Sequence, residues 1–297
     1  MDPGASEIEK FTNVVDRIGW FLRDDGKAID SERLLVRSLK EHKRVLGAEH
    51  PHTLTAMNNL ALTYRNQGRT GKAVALQEEV LEKSREILGM ENPGTLTSMN
   101  NLASIYQAQG RTGEAAILQE EVLEKRRRIL GAEHPDTLTS MNNLALTYQA
   151  RGRTGEAAAL QEEVLEKRRR ILGAEHPNTL MSMNNLAVTY QAQGRTGEAT
   201  ALQEEVQEKR KQILGAEHPD MLISMNNLAV TYQSQGRTGE AAALQEEVLE
   251  KCRQILGAEH LDTLKSMNNL ALTYQAQGRT REAVALEEKV LENRRQK

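Results

Sequence analysis

Asparagine is the side chain this sequence places most regularly. An Asn-Asn pair recurs six times, always 42 residues apart: Asn58 and Asn59, Asn100 and Asn101, Asn142 and Asn143, Asn184 and Asn185, Asn226 and Asn227, Asn268 and Asn269. Each amide carries both a donor and an acceptor, which is what the N–H and C=O groups of an extended peptide require. One pair per period would make a ladder of equal grips. Histidine keeps the same period at His50, His134, His176, His218 and His260. One imidazole per helix pair puts neighbours about 10 Å apart, whereas metal ligands converge within about 4 Å of one another. These histidines are therefore expected to start helices or pack loops, and no metal is expected.

The remaining candidates for chemistry carry less. Cys252 is the single cysteine and stands where neighbouring copies have Arg168 and Arg210. It is expected to be a drifted surface residue. One cysteine supports no disulfide framework, so a reducing, cytoplasmic compartment is expected. The segment Gly68-Arg69-Thr70-Gly71 reads as a turn, and the sequence holds no glycine-rich phosphate loop, nucleophile elbow or zinc motif. Neither enzymatic activity nor a cofactor is expected.

Charge excludes further classes. Lys plus Arg is 39 and Asp plus Glu is 42, which argues against nucleic acid, since phosphate binding needs a concentrated basic surface. The run Lys167-Arg168-Arg169-Arg170 closes a segment that opens with Glu156 and continues through Glu162-Glu163. Acid first and base last complements a helix dipole, and Glu163 with Lys167 is an i, i+4 pair. The basic run is thus expected on a solvated helix end. No apolar stretch approaches the roughly 18 residues that span a bilayer, so no membrane partner is expected. The start, Met1 to Lys10, lacks the apolar region of a signal peptide.

Two helical patterns per period must position these residues. In one copy the first runs over Leu54 to Gln67, with Met57, Leu60, Ala61 and Tyr64 on one face at i, i+3, i+4 and i+7. Pro51 precedes it, where a missing N–H costs nothing, and Gly68 ends it in a left-handed turn. The second is expected over Thr70 to Leu88, with Thr70 as N-cap and a buried stripe of Ala73, Leu76, Val80 and Ile87. The short link forces the two to pack antiparallel. A fixed period of this length means an array of one supersecondary unit and not a globule with one core. The expected fold is all-α, a right-handed α-solenoid of about seven antiparallel helix pairs. Residues 1–47 form a degenerate N-terminal repeat, with Glu7 to Leu22 in its first-helix slot holding Phe11, Trp20 and Phe21. Residues 48–297 form six repeats.

Leu60-Ala61-x-x-Tyr64 and Ala73 match the tetratricopeptide pattern, with Met57 in place of its usual Trp. The longer signature HP-x-TL-x-x-x-NNLA-x-x-Y with QG-R/K-x-x-EA resembles the repeats of kinesin light chains. It is also similar to the arrays that follow the nucleotide-binding module of many fungal NOD-like receptors, whose neighbouring copies are very alike. Gly131 to Leu172 and Gly173 to Leu214 differ here at 8 of 42 positions.

The resemblance implies a concave groove lined by the first helices. A second stripe, Thr55, Asn58, Asn59, Leu62, Arg65 and Asn66, lies about 200° from the core stripe at 100° per residue. The resemblance places the Asn pairs in that groove. The rival assignment for at least one Asn of each pair is a buried bond that ties helices together. Because the pairs are alike in every copy, specificity must sit where copies differ. The Thr55 position reads Met181, Ile223 and Lys265 in later copies, and the Leu62 position reads Val188 and Val230. These five are the expected specificity residues. The expected activity is that of a non-catalytic scaffold for an extended peptide or protein segment, the sensing arm of a NOD-like receptor. The alternatives are a cargo adaptor of the kinesin light chain type, for which a heptad coiled coil would be required, and a module that stacks end to end on copies of itself.

Overall fold

The computed structural model describes residues 28–215 and 218–295. Among them are thirteen helices: α1 (Ala28–Val45), α2 (Pro51–Asn66), α3 (Thr70–Leu88), α4 (Pro93–Ala108), α5 (Thr112–Leu130), α6 (Pro135–Ala150), α7 (Thr154–Leu172), α8 (Pro177–Ala192), α9 (Thr196–Leu214), α10 (Pro219–Ser234), α11 (Thr238–Leu256), α12 (Leu261–Ala276) and α13 (Thr280–Arg295). The fold is an all-α array of repeated helix pairs. The expected first helix of the N-terminal repeat, with Phe11, Trp20 and Phe21, lies outside the described residues. The chain divides after Arg153 into two compact units. The N-terminal unit holds α1 to α6 and the C-terminal unit α7 to α13.

The first helices, α2 to α12 by even numbers, start by a shared device. His50 accepts a hydrogen bond at Nδ1 from the His52 N–H, and His134, His176, His218 and His260 do the same for the N–H two residues on. In α4 the side chain of Asn92 takes that role. Each of these satisfies an amide that has no helical partner, worth about 1 kcal/mol. A proline at the first helical position of α2, α4, α6, α8 and α10 removes another. Each first helix stops at a glycine of positive φ, as at Gly68 (73°), where an L side chain would be strained.

The second helices start differently from expectation. Thr70 is the first residue of α3, the cap is Arg69, and no side chain bonds the free amides. Arg69 instead lies over the Tyr64 ring, 4.6 Å from its centroid. The buried face of α3 is also wider than one stripe: Ala73, Val74, Gln77, Val80, Leu81 and Ser84 are buried, whereas Ile87 is 42% exposed. The reason is placement. Leu96, Met99, Leu102, Ala103 and Tyr106 of α4 pack on Ala73, Val74 and Leu81 of the preceding α3 and on Ala115 and Val122 of the following α5. A second helix thus has a first helix on either side and must bury two faces. The same cluster recurs around Met183 and Tyr190 and around Met267 and Tyr274, so stability is built by repeating one interface.

Candidate first-helix binding face

On the first helices the Asn pairs sit lower than the helical phase alone implies. All twelve are half-buried except Asn142, which is buried. The first Asn of a pair faces inward. The Asn58 Oδ1 accepts from Gln77 Nε2 at 2.5 Å and from Asn101 Nδ2 at 3.4 Å. The Oδ1 atoms of Asn100, Asn184 and Asn226 are likewise shielded from solvent. The pairs therefore lie in the seam between neighbouring helices, and Asn58 has the bridging role that buried amides perform elsewhere. The glutamines on the other side of that seam were not singled out by the helix stripes read from the sequence. Gln77, Gln119, Gln161, Gln203 and Gln245 are all at most 2% exposed. Only their recurrence inside an otherwise apolar face marks them.

The positions that flank the Asn pairs are the ones that stand out into solvent. Met181 is 42% exposed, Ile223 53%, Val188 41%, Val230 47%, and Leu272 56%; Lys265 is exposed as well. Four of the five expected specificity residues are thus exposed apolar side chains, two on each of the successive first helices α8 and α10. In the N-terminal unit Leu146 is open to a similar degree, at 40% exposure, but the leading positions are polar and bonded. Thr55, Thr97 and Thr139 each donate to the carbonyl four residues back, at 3.1, 2.9 and 2.9 Å, and Ser104 accepts from Arg65 Nη1.

A second repeated constellation lies where one helix pair meets the next. The hydroxyl of Tyr106 donates to Glu78 at 2.8 Å, and Tyr148, Tyr190, Tyr232 and Tyr274 donate to Glu120, Glu162, Glu204 and Glu246. Arg111 lies over the Tyr106 ring at 3.9 Å and pairs with Glu114; Arg195 repeats this with Tyr190 and Glu198. Burial and then the neighbouring Glu push the hydroxyls of Tyr106, Tyr190, Tyr232 and Tyr274 above their usual pKa. The clamp recurs in the five copies from Tyr106 to Tyr274 and fits a structural tie. Among the described residues no group of three or more His, Cys, Asp or Glu side chains could hold a metal ion.

The expectation that Cys252 lies on the surface is wrong, and so is part of the reading of the basic run. Cys252 is 3% exposed, and the equivalent Arg126 and Arg168 are 7% and 4% exposed. Arg126 Nη1 donates to the Asp136 carbonyl at 3.0 Å and to Ser140 Oγ at 2.9 Å. Arg168 bonds the Asn178 carbonyl and Ser182, and Arg210 the Asp220 carbonyl and Ser224. Burial holds all three guanidinium groups below their usual pKa. The run failed as a guide because its members diverge in direction. Lys167 does pair with Glu163, and Arg169 reaches Glu205 at 2.8 Å, while Arg168 turns under the next first helix.

Paired antiparallel helices, repeated on one interface and carrying exposed side chains on the first member, define an α-solenoid of the protein-interaction class. The tetratricopeptide repeat family model matches residues 12–86, 56–128, 94–170, 156–212, 186–254 and 220–296. The chain belongs to the tetratricopeptide repeat family. Among solved structures it is similar to nearly identical TPR-like repeats assigned to a kinesin light chain of Podosopora anserina. Identity there is 38% over 70% of this chain and 98% of that one, with a TM-score of 0.63. It shares its fold with BtubC (BKLC) of P. vanneervenii, at 22% identity over 76% and 91% of the two chains and a TM-score of 0.63. It also shares it with a Signal Transduction ATPase with Numerous Domains from Pyrococcus horikoshii that carries a tetratricopeptide repeat sensor. In that case identity is 16% over 97% of this chain and 43% of that one, with a TM-score of 0.66. No curated protein sequence matches the chain.

Proposed function

We propose that the chain is a non-catalytic scaffold that binds an extended peptide or protein segment along its first-helix face, chiefly over the C-terminal unit. The observation that carries this is the row of exposed Met181, Val188, Ile223, Val230 and Leu272, set above half-buried amides that can bond a backbone. Apolar side chains in such a row are what a ligand covers when it gains affinity from burial. The second Asn of each pair supplies the sequence-tolerant contacts, and the variable positions supply identity. Selection of linear peptides by display on the purified chain, followed by titration of Ile223→Glu with Val230→Glu, tests the reading. Loss of binding with unchanged melting supports it; retained binding removes it.

Within that reading the chain serves as the sensing arm of a NOD-like receptor, in line with the tetratricopeptide sensor of the Pyrococcus horikoshii signalling ATPase. The second reading, a cargo adaptor, is favoured by the 38% identity to repeats assigned to a kinesin light chain. The full-length transcript separates them: an upstream nucleotide-binding module supports the first and a heptad coiled coil the second. End-to-end stacking of copies is the structural alternative, and a monomer by light scattering at high concentration would remove it.

A further inference from the structure

One position of the second helices is filled differently from copy to copy, and in the C-terminal unit it leaves room. Arg168 and Arg210 each place one guanidinium nitrogen against a backbone carbonyl and a serine hydroxyl, within 2.6–3.0 Å. Both acceptors persist one copy further on. Ser266 Oγ donates to the Asp262 carbonyl at 2.9 Å, as Ser182 does to the Asn178 carbonyl at 3.0 Å. In place of the guanidinium stands Cys252, whose Sγ approaches Ser266 Oγ only to 3.6 Å. A thiol is a weak donor and a short side chain. It fills neither the volume nor the bonding of arginine. Beside it lies a cavity of about 250 Å³, bounded by Cys252 and Ser266 within and by Ile223, Asn227, Lys265 and Asn269 on the first-helix face.

We propose that this cavity accepts the guanidinium of an arginine side chain carried by the bound segment. The two preceding copies, at Arg168 and Arg210, already display the complex, with the arginine supplied from within. The copy at Arg168 also shows that a carboxylate is unnecessary, because the residue at 178 is Asn and the bonds run to its carbonyl and to Ser182. Lys265 at the rim does not oppose entry by an unpaired charge, since its ammonium is held by Asp262 at 2.8 Å. A lysine ammonium would bring one point of charge and no planar fork, so the site discriminates between the two cations. The exposed Ile223 beside the opening covers the aliphatic stem of the entering side chain. The inference rests on peptide binding along this face, and its test is arranged so that the two can fail separately.

Ethylguanidinium serves as the probe on the purified full chain. Cys252 is the only cysteine, so the rate of thiol alkylation reports on this cavity alone. Millimolar ethylguanidinium is expected to slow alkylation and raise the melting temperature, ethylammonium to do neither. In Cys252→Arg the cavity is filled from within, and the melting temperature is expected to hold or rise and to ignore the probe. Ser266→Ala, which keeps the cavity and removes one acceptor, is expected to weaken the probe about tenfold. Display-selected peptides are expected to contain an arginine whose change to lysine costs about tenfold on the natural chain and nothing on Cys252→Arg. An equal thermal response of the natural chain and Cys252→Arg overturns the proposal, as does no response from the natural chain. If peptides bind but the probe does not, peptide binding stands and the arginine site falls. If the probe binds but peptides are indifferent to arginine, the arginine side chain as occupant is wrong.

Discussion

The two units use one scaffold and differ on one face. In the N-terminal unit the leading exposed position of each first helix is Thr55, Thr97 or Thr139, and each hydroxyl is bonded to its own helix. In the C-terminal unit the same position is Met181, Ile223 or Lys265, and the two apolar side chains are 42% and 53% exposed. The Tyr–Glu clamp is alike in both, at Tyr106 and Glu78 as at Tyr190 and Glu162. Duplication keeps what holds the pairs together and frees what faces outward. That difference at the leading position is the basis for proposing recognition on the C-terminal unit.

If the scaffold is truly shared, a core truncation should cost the same in both units. Leu102→Ala and Leu186→Ala, each at a side chain only 3% exposed, are expected to destabilise by about 2–5 kcal/mol, read by chemical denaturation. A clear inequality between the two would break the comparison. On the outward face the expectation reverses. Ile223→Glu with Val230→Glu should reduce peptide affinity by tenfold or more, which is about 1.4 kcal/mol or more, while Thr97→Glu in the N-terminal unit leaves it unchanged. Isothermal titration against one display-selected peptide decides this.

The clamp offers a smaller effect. Tyr106→Phe and Tyr190→Phe each remove one hydrogen bond and should cost about 0.5–1.5 kcal/mol alike. Their folded pKa values lie above the usual tyrosine value. The folded chain thus holds those protons longer than the unfolded chain, so the contribution is complete below the unfolded pKa and is lost as pH rises through the folded one. Stability should fall on alkaline titration above about pH 10, and less steeply in the Phe variants. Smallest of all, Thr139→Ala removes only a local backbone bond on an exposed face and should stay within about 0.5 kcal/mol.

Much of the molecule was legible in the sequence. The period, the helix pairing, the glycine turns and the Leu-Ala-Tyr core all follow from local rules, and the second helix over Thr70–Leu88 agrees with its expected bounds. The first helix begins earlier than expected, at Pro51, because His50 caps it through its own ring. What was not legible depends on the neighbouring pair. A stripe calculation sees one helix and one partner, so it missed Gln77 and Ser84 and misplaced Ile87 and Cys252. It also placed Asn58 on the open face, whereas the inward bond to Gln77 draws it into the seam. The exposure of Met181, Ile223, Val188 and Val230 was legible because copies vary most where packing leaves a position free.

Methyl resonances of methionine and isoleucine in the full chain, followed as a display-selected peptide is added, test the central claim most directly. The account predicts that Met181 and Ile223 move, while Ile213, equally open at 47% exposure but on the second-helix side, and the buried Met99 stay in place. Movement of Ile213 with Met181 and Ile223 unchanged would contradict it.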